Sequence, residues 1–186
     1  MIYIIDDFLP INIFNKLEKY LINFQEVKTT YKSFWALDSP KEFTEWISNK
    51  ISLIENKEIN NILSFFRLSN DTLDTDWRIH CDSIINDQLP TRAIVLYFSN
   101  SVDSLNGTGF WAHETHGEFL PYDKLTTEEY NNLILKDANN VEKWILKSVI
   151  SQKKNRLISY PSNYFHSKYP NISSKDGRKI FVMFYN

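Results

Sequence analysis

One cysteine in 186 residues excludes an intramolecular disulfide framework, and a lone thiol suits a reducing, cytoplasmic setting. Long apolar runs are missing as well. No stretch approaches the roughly 18 to 20 residues that would span a bilayer. The opening Met1-Ile2-Tyr3-Ile4-Ile5-Asp6-Asp7 has no basic segment ahead of an apolar one, so neither a membrane span nor a signal peptide is expected. An excess of one charge is also lacking, since 21 Lys and Arg stand against 23 Asp and Glu. That balance argues against polyanion binding, so no nucleic-acid partner is expected. The densest basic cluster, Lys147 with Lys153, Lys154 and Arg156, reads as a solvated hairpin. There are four glycines and no repeat, linker or low-complexity tract, which leaves a single domain over residues 1–186.

Apolar residues are present in quantity, at 42% with 15% aromatic, and a chain of this length buries roughly 70% of its unfolded surface. A short strand over residues 2–5 turns at Asp6-Asp7-Phe8-Leu9-Pro10 into a helix, where a proline in the first turn costs little. Ile13, Leu17, Leu21 and Phe24 recur at helical spacing, and Ser39-Pro40 opens a second helix with Phe43, Trp46, Ile47 and Ile51 on one side. From Asn61 the period becomes strand-like over 62–68, 77–82, 92–98, 110–113, 144–151, 156–160, 164–169 and 179–185. Short strands behind two helices predict a mainly β fold, a jelly roll (double-stranded β-helix, cupin-like) with the N-terminal helices packed on one sheet. The helical flank is expected over 1–58 and the jelly-roll core over 59–186. Residues 113–140 interrupt the strands, with a Thr126-Thr127 helix cap ahead of Glu128-Glu129. Their aromatic groups (Phe119, Tyr122, Tyr130) suggest a lid, or else a passive excursion with a short helix.

The chain's chemistry centres on Trp77-Arg78-Ile79-His80-Cys81-Asp82. On a strand, i and i+2 point to one face, so His80 and Asp82 aim together while Cys81 points away as a small buried hydrophobe. Two ligands do not close a metal site, and His166 is the natural third. Two His and a carboxylate on one face of an octahedron hold iron(II) with open positions. Tyr164-Phe165-His166-Ser167 leads through Asp176-Gly177, a favoured turn pair, into Arg178-Lys179-Ile180-Phe181-Val182-Met183-Phe184. By alternation Arg178 shares the apolar face of Ile180, Val182 and Phe184. A guanidinium there requires an anion, and a dicarboxylate lying between metal and arginine would supply it. One hairpin would then deliver both His166 and Arg178.

With these residues the sequence resembles the Fe(II)/2-oxoglutarate-dependent oxygenase superfamily, and within it the prolyl-4-hydroxylase-like branch. That branch shows His-x-Asp, a later His and a basic residue about a dozen positions on. Ile4-Ile5-Asp6-Asp7-Phe8-Leu9, Val95-Leu96-Tyr97-Phe98-Ser99-Asn100 and Gly107-Thr108-Gly109-Phe110 add weaker similarity in family order. The resemblance implies Fe(II) on His80, Asp82 and His166, with 2-oxoglutarate as co-substrate held by Arg178 and Tyr97. It implies a dioxygenase that hydroxylates a small-molecule or peptide substrate with O2, releasing succinate and CO2. Prolyl hydroxylases often carry lysine where Arg178 stands, and the Gly-Gly-x-Thr pattern is altered here, so the prolyl substrate does not follow.

Other readings compete. A cupin-like module would hold a metal or small ligand without turnover. His113-Glu114-Thr115-His116 is a second metal candidate, but on a strand entering a loop the two histidines point to opposite faces, at the pocket rim or surface. A tetrahedral zinc site there lacks ligands. Arg67, Arg78 and Arg92 remain candidates, Arg78 for the substrate mouth because it alternates with His80 and Asp82. Substrate identity and oligomeric state are left open by the sequence.

Overall fold

The computed structural model describes residues 1–28, 33–70, 72–74, 76–82, 85–100, 105–120, 127–170 and 177–186. The Thr126 cap, Tyr122 and Asp176 of the Asp176-Gly177 turn lie outside them. Among the described residues no helix is long and apolar enough to cross a membrane.

Strand β1 (Tyr3–Ile5) precedes helix α1 (Ile11–Tyr20), strands β2 (Gln25–Lys28) and β3 (Ser33–Asp38), and helix α2 (Lys41–Glu55). Both helices start at prolines, Pro10 and Pro40, whose carbonyls accept the first helical hydrogen bonds. Strands β4 (Asn61–Ser69), β5 (Arg92–Tyr97) and β6 (Gly107–His113) come next, then helix α3 (Thr127–Asp137). Strands β7 (Trp144–Ser151), β8 (Leu157–Pro161), β9 (His166–Tyr169) and β10 (Arg178–Tyr185) finish the chain. They form two antiparallel sheets, in the orders β1-β8-β5-β10-β4-β3-β2 and β7-β6-β9. This is the jelly-roll architecture.

Alternation along the central strands sorts the core into two layers. Ile94 and Leu96 of β5 and Phe181, Met183 and Tyr185 of β10 meet Phe14 and Leu17 of α1 and Phe43, Ile47 and Ile51 of α2. The N-terminal helices therefore cover one face of the large sheet. The intervening residues Ala93, Val95, Tyr97, Ile180 and Val182 face the small sheet, where they meet Phe110 and Ile150. Gly107 lets β6 approach β7, since a Cβ there would sit 1.9 Å from the carbonyl oxygen of Ile150.

Four elements differ from the sequence pattern. The β2–β3 hairpin is absent from it because β2 is exposed throughout and shows no alternation; pairing of β2 with β3, and of β3 with β4, makes these residues strand. Residues 77–82 are extended without belonging to a sheet ladder, and only His80 forms a bridge, to His166. Helix α1 stops at Tyr20, so Phe24 packs from beyond its end. Strands β9 and β10 are not a hairpin: β9 pairs with β6 in the small sheet, whereas β10 lies between β4 and β5 in the large one. His166 and Arg178 therefore reach the site from opposite sheets. The basic cluster is ion-paired, Lys153 and Arg156 to Asp6, Lys154 to Glu18 and Lys147 to Glu118.

Candidate metal and co-substrate site

The bridge between residue 80 and β9 is where the site begins. Each histidine donates its main-chain N–H to the other's carbonyl, and such directly opposed residues project to one side. The two imidazole centroids are 4.6 Å apart. Asp82 follows two residues on, its N–H held by the carbonyl of Ser162 at 2.8 Å. Its Oδ1 lies 3.8 Å from His166 Nε2. Ligand atoms of His80, Asp82 and His166 all fall within 4.8 Å of one another, the one such group among the described residues.

The tautomers are set locally. Nδ1 of His80 lies 2.8 Å from the carbonyl oxygen of Arg78, and Nδ1 of His166 2.9 Å from that of Tyr164. A carbonyl only accepts, so each Nδ1 carries the proton and each Nε2 carries the lone pair a metal uses. Two imidazoles held through Nδ1 and a buried carboxylate are a donor set that fits a divalent cation.

Behind His80 and Asp82, Ile79 and Cys81 point into a third cluster with Leu120, Leu133, Trp144 and Phe165. The Tyr130 hydroxyl of α3 donates to the carbonyl of Cys81 at 2.6 Å, and the N–H of Ile79 donates to that of Ala138 at 2.9 Å. Helix α3 thus braces the His-x-Asp segment from the side opposite the His80 and Asp82 side chains. Among the described residues of 113–140, none lines the pocket of His80, Asp82 and His166. His113 and His116 do not diverge either; their rings stack at 5.0 Å. His113 is buried near Asp137, well outside the triad.

Arg178 enters the same pocket from β10, beside the apolar wall of Val95, Ile180, Val182 and Phe184. It donates from Nη2 to Thr108 Oγ1 at 3.2 Å, and its guanidinium lies over the ring of Tyr97 at 5.4 Å. Its Nε is buried and makes no hydrogen bond among the described residues. A buried donor in that state costs free energy, and an anion entering the pocket would meet it. Tyr97 stands one layer behind, fully buried, its hydroxyl 2.6 Å from Thr108 Oγ1. The large sheet therefore carries Arg178 and Tyr97, the small sheet His166 and Thr108. Burial and the nearby Asp82 carboxylate push the Tyr160 phenol well above its usual range, so it lines the pocket as a neutral group against the His166 ring.

Two residues were not singled out by sequence reasoning. Thr108 sits between two glycines, and its hydroxyl acquires meaning only when β6 faces β10. Lys168 stands two residues after His166 on β9, on the face of His166, where alternation alone was signal enough. At the mouth, Arg78 is held by both oxygens of Asp76 at 2.9 and 3.1 Å, and Arg67 is paired with Asp74. Arg92 lies elsewhere, paired with Glu55.

No protein-family model and no curated protein matches this sequence. Solved structures do match in fold. HygX from Streptomyces hygroscopicus, with nickel, 2-oxoglutarate and hygromycin B bound, superposes over 100% of this chain and 82% of its own, with TM-score 0.63 and 11% identity. A Pseudomonas putida prolyl-4-hydroxylase covers 98% of this chain and 91% of its own, with TM-score 0.53 and 11% identity. A viral collagen prolyl hydroxylase of Paramecium Bursaria Chlorella virus-1, in its 2-oxoglutarate complex, covers 99% and 94%, with TM-score 0.52 and 14% identity. The chain shares the jelly-roll fold of Fe/2-oxoglutarate oxygenases, prolyl-4-hydroxylases among them.

Proposed function

We propose that this protein is an Fe(II)- and 2-oxoglutarate-dependent dioxygenase that hydroxylates a small-molecule or peptide substrate. The observation that carries the reading is one pocket that holds both a ligand set and an anion clamp. His80, Asp82 and His166 converge in it, and the Arg178 guanidinium lines the same pocket with a buried Nε that makes no hydrogen bond among the described residues. A module that merely held a metal has no need of the arginine. His80 and His166 would hold the iron through Nε2 and Asp82 through a carboxylate oxygen, leaving three coordination positions open.

When bound, iron and 2-oxoglutarate supply O2 activation: the co-substrate is decarboxylated to succinate and CO2, and O2 gives one oxygen atom to succinate and the other to a substrate C–H bond. The protein's own part is positioning. Arg178 pairs with the far carboxylate of the co-substrate, bidentate at its fork. The Thr108 hydroxyl, accepting from Arg178 and meeting Tyr97, orients that fork. The apolar wall of Val95, Ile180, Val182 and Phe184 lowers the local dielectric beside the charged groups and so strengthens the pairing. The carbonyls of Arg78 and Tyr164 keep both imidazoles in the ligating tautomer.

The test is Fe(II)- and O2-dependent conversion of 2-oxoglutarate to succinate by the full chain. Metal binding with no 2-oxoglutarate affinity and no succinate would leave a metal-binding jelly roll instead.

A further inference from the structure

Besides Arg178 and the ion-paired Arg67 and Arg78, the pocket holds a cation that the reaction as proposed does not use. Lys168 lines it from β9, on the same face as His166. Its cross-strand partner on β6 is Thr108, the residue that accepts from Arg178. The Lys168 ammonium donates to the main-chain carbonyl of Asp74 at 3.2 Å. Among the described residues it has no carboxylate within ion-pairing distance. The other cations at the mouth do: Arg67 is paired with Asp74 and Arg78 with Asp76.

Charge bookkeeping for the loaded site then leaves a remainder. A divalent metal, Arg178 and Lys168 bring four positive charges, while Asp82 brings one negative and 2-oxoglutarate two. One positive charge stays uncompensated inside a half-buried pocket, where an unpaired ion is unfavourable.

Position indicates which molecule supplies the missing anion. Lys168 sits at the seam between the metal pocket and an outer cleft. Asp74, whose carbonyl it holds, lines that cleft together with Trp35 and Trp77, and Asp76 and Arg78 line both cavities. The inner cavity is about 90 Å³ and the outer about 560 Å³, so the body of a substrate belongs outside, with its reacting end directed inward past Lys168. Two tryptophans in its lining suit a ring.

Building on the 2-oxoglutarate reading, we infer that the substrate is an anionic ring-bearing small molecule whose carboxylate or phosphate is held by Lys168 while its ring lies in the Trp35–Trp77 cleft. Lys168 is a specificity-determining residue; it leaves the co-substrate to Arg178.

Isothermal titration of the nickel-loaded full chain, with and without 2-oxoglutarate, tests this using 3-phenylpropionate, phenyl phosphate and 3-phenylpropionamide. At least one anion should bind about tenfold or more tighter than the amide, and the tighter anion identifies the head group. Lys168→Met should abolish that preference and Lys168→Arg keep most of it, with 2-oxoglutarate affinity within about twofold of wild type in both. Equal binding of anions and amide, or no binding of any probe, overturns the inference. So does a loss of 2-oxoglutarate affinity in Lys168→Met comparable to that in Arg178→Ala, which would place Lys168 on the co-substrate. A wild-type protein that binds no 2-oxoglutarate yet keeps a Lys168-dependent anion preference would overturn the co-substrate reading alone.

Discussion

His80 and His166 exchange both main-chain hydrogen bonds, His80 N–H to His166 O at 3.0 Å and His166 N–H to His80 O at 2.7 Å. A pair opposed in this way presents both side chains to one side at fixed separation. The backbone thus performs most of the ordering that a metal would otherwise impose, and Asp82 completes the face two residues later.

Removing any one of these side chains should therefore remove metal binding without unfolding the chain. His80→Ala, Asp82→Ala and His166→Ala are each expected to lose stoichiometric Fe(II) binding in anaerobic titration while keeping wild-type circular dichroism. A variant that retains full affinity takes its residue out of the ligand set.

Arg178 is the second target. Arg178→Ala should weaken 2-oxoglutarate binding by on the order of 3 to 5 kcal/mol, the cost of breaking a buried charged pair. Arg178→Lys should recover part of it, since charge persists without the fork. Thr108→Val removes the hydrogen bond that the charged Arg178 donates and the one shared with the Tyr97 hydroxyl, and should cost about 1.5 to 3 kcal/mol. Anaerobic titration of the Fe(II)–2-oxoglutarate absorbance reads all three, and unchanged affinity in Arg178→Ala would refute the anion-clamp role.

Helix α3 should matter to the metal although it does not touch it. Tyr130→Phe deletes the hydroxyl that donates to the Cys81 carbonyl, at a cost of about 1 kcal/mol in urea unfolding, and should lower Fe(II) affinity. The same unfolding midpoint and the same affinity would mean that the brace is idle.

His113 gives a pH signature outside the site. Burial holds its imidazole below the usual histidine range, against the pull of Asp137 and with further lowering from His116. The unfolded chain, with a value of about 6.5, takes up the proton first. The His113 contribution to stability is therefore full above about pH 6.5 and is lost as the pH falls through the lower folded value. Urea unfolding across that window should show stability falling with pH, and His113→Gln should flatten the slope. An identical slope in the variant would assign it to other groups.

Local order is what the sequence by itself determined. The i, i+2 spacing of His80 and Asp82 put both on one side even without a sheet ladder, because an extended backbone alternates regardless of its neighbours. The face of Arg178 was likewise legible, from the apolar run Ile180, Val182, Phe184 with which it alternates. The helices α1 and α2 followed from apolar periodicity. What only the tertiary structure decided is which surfaces meet. Strand β2 has no pattern of its own and is a strand through its pairing with β3, which pairs in turn with β4. The assignment of β9 and β10 to opposite sheets, the meeting of Thr108 with Arg178, the packing of α3 behind Cys81 and the stacking of His113 on His116 are contacts between distant segments or across turns. Each depends on how two sheets close over one another, and side-chain alternation fixes which face a residue takes but not which strand will lie opposite it.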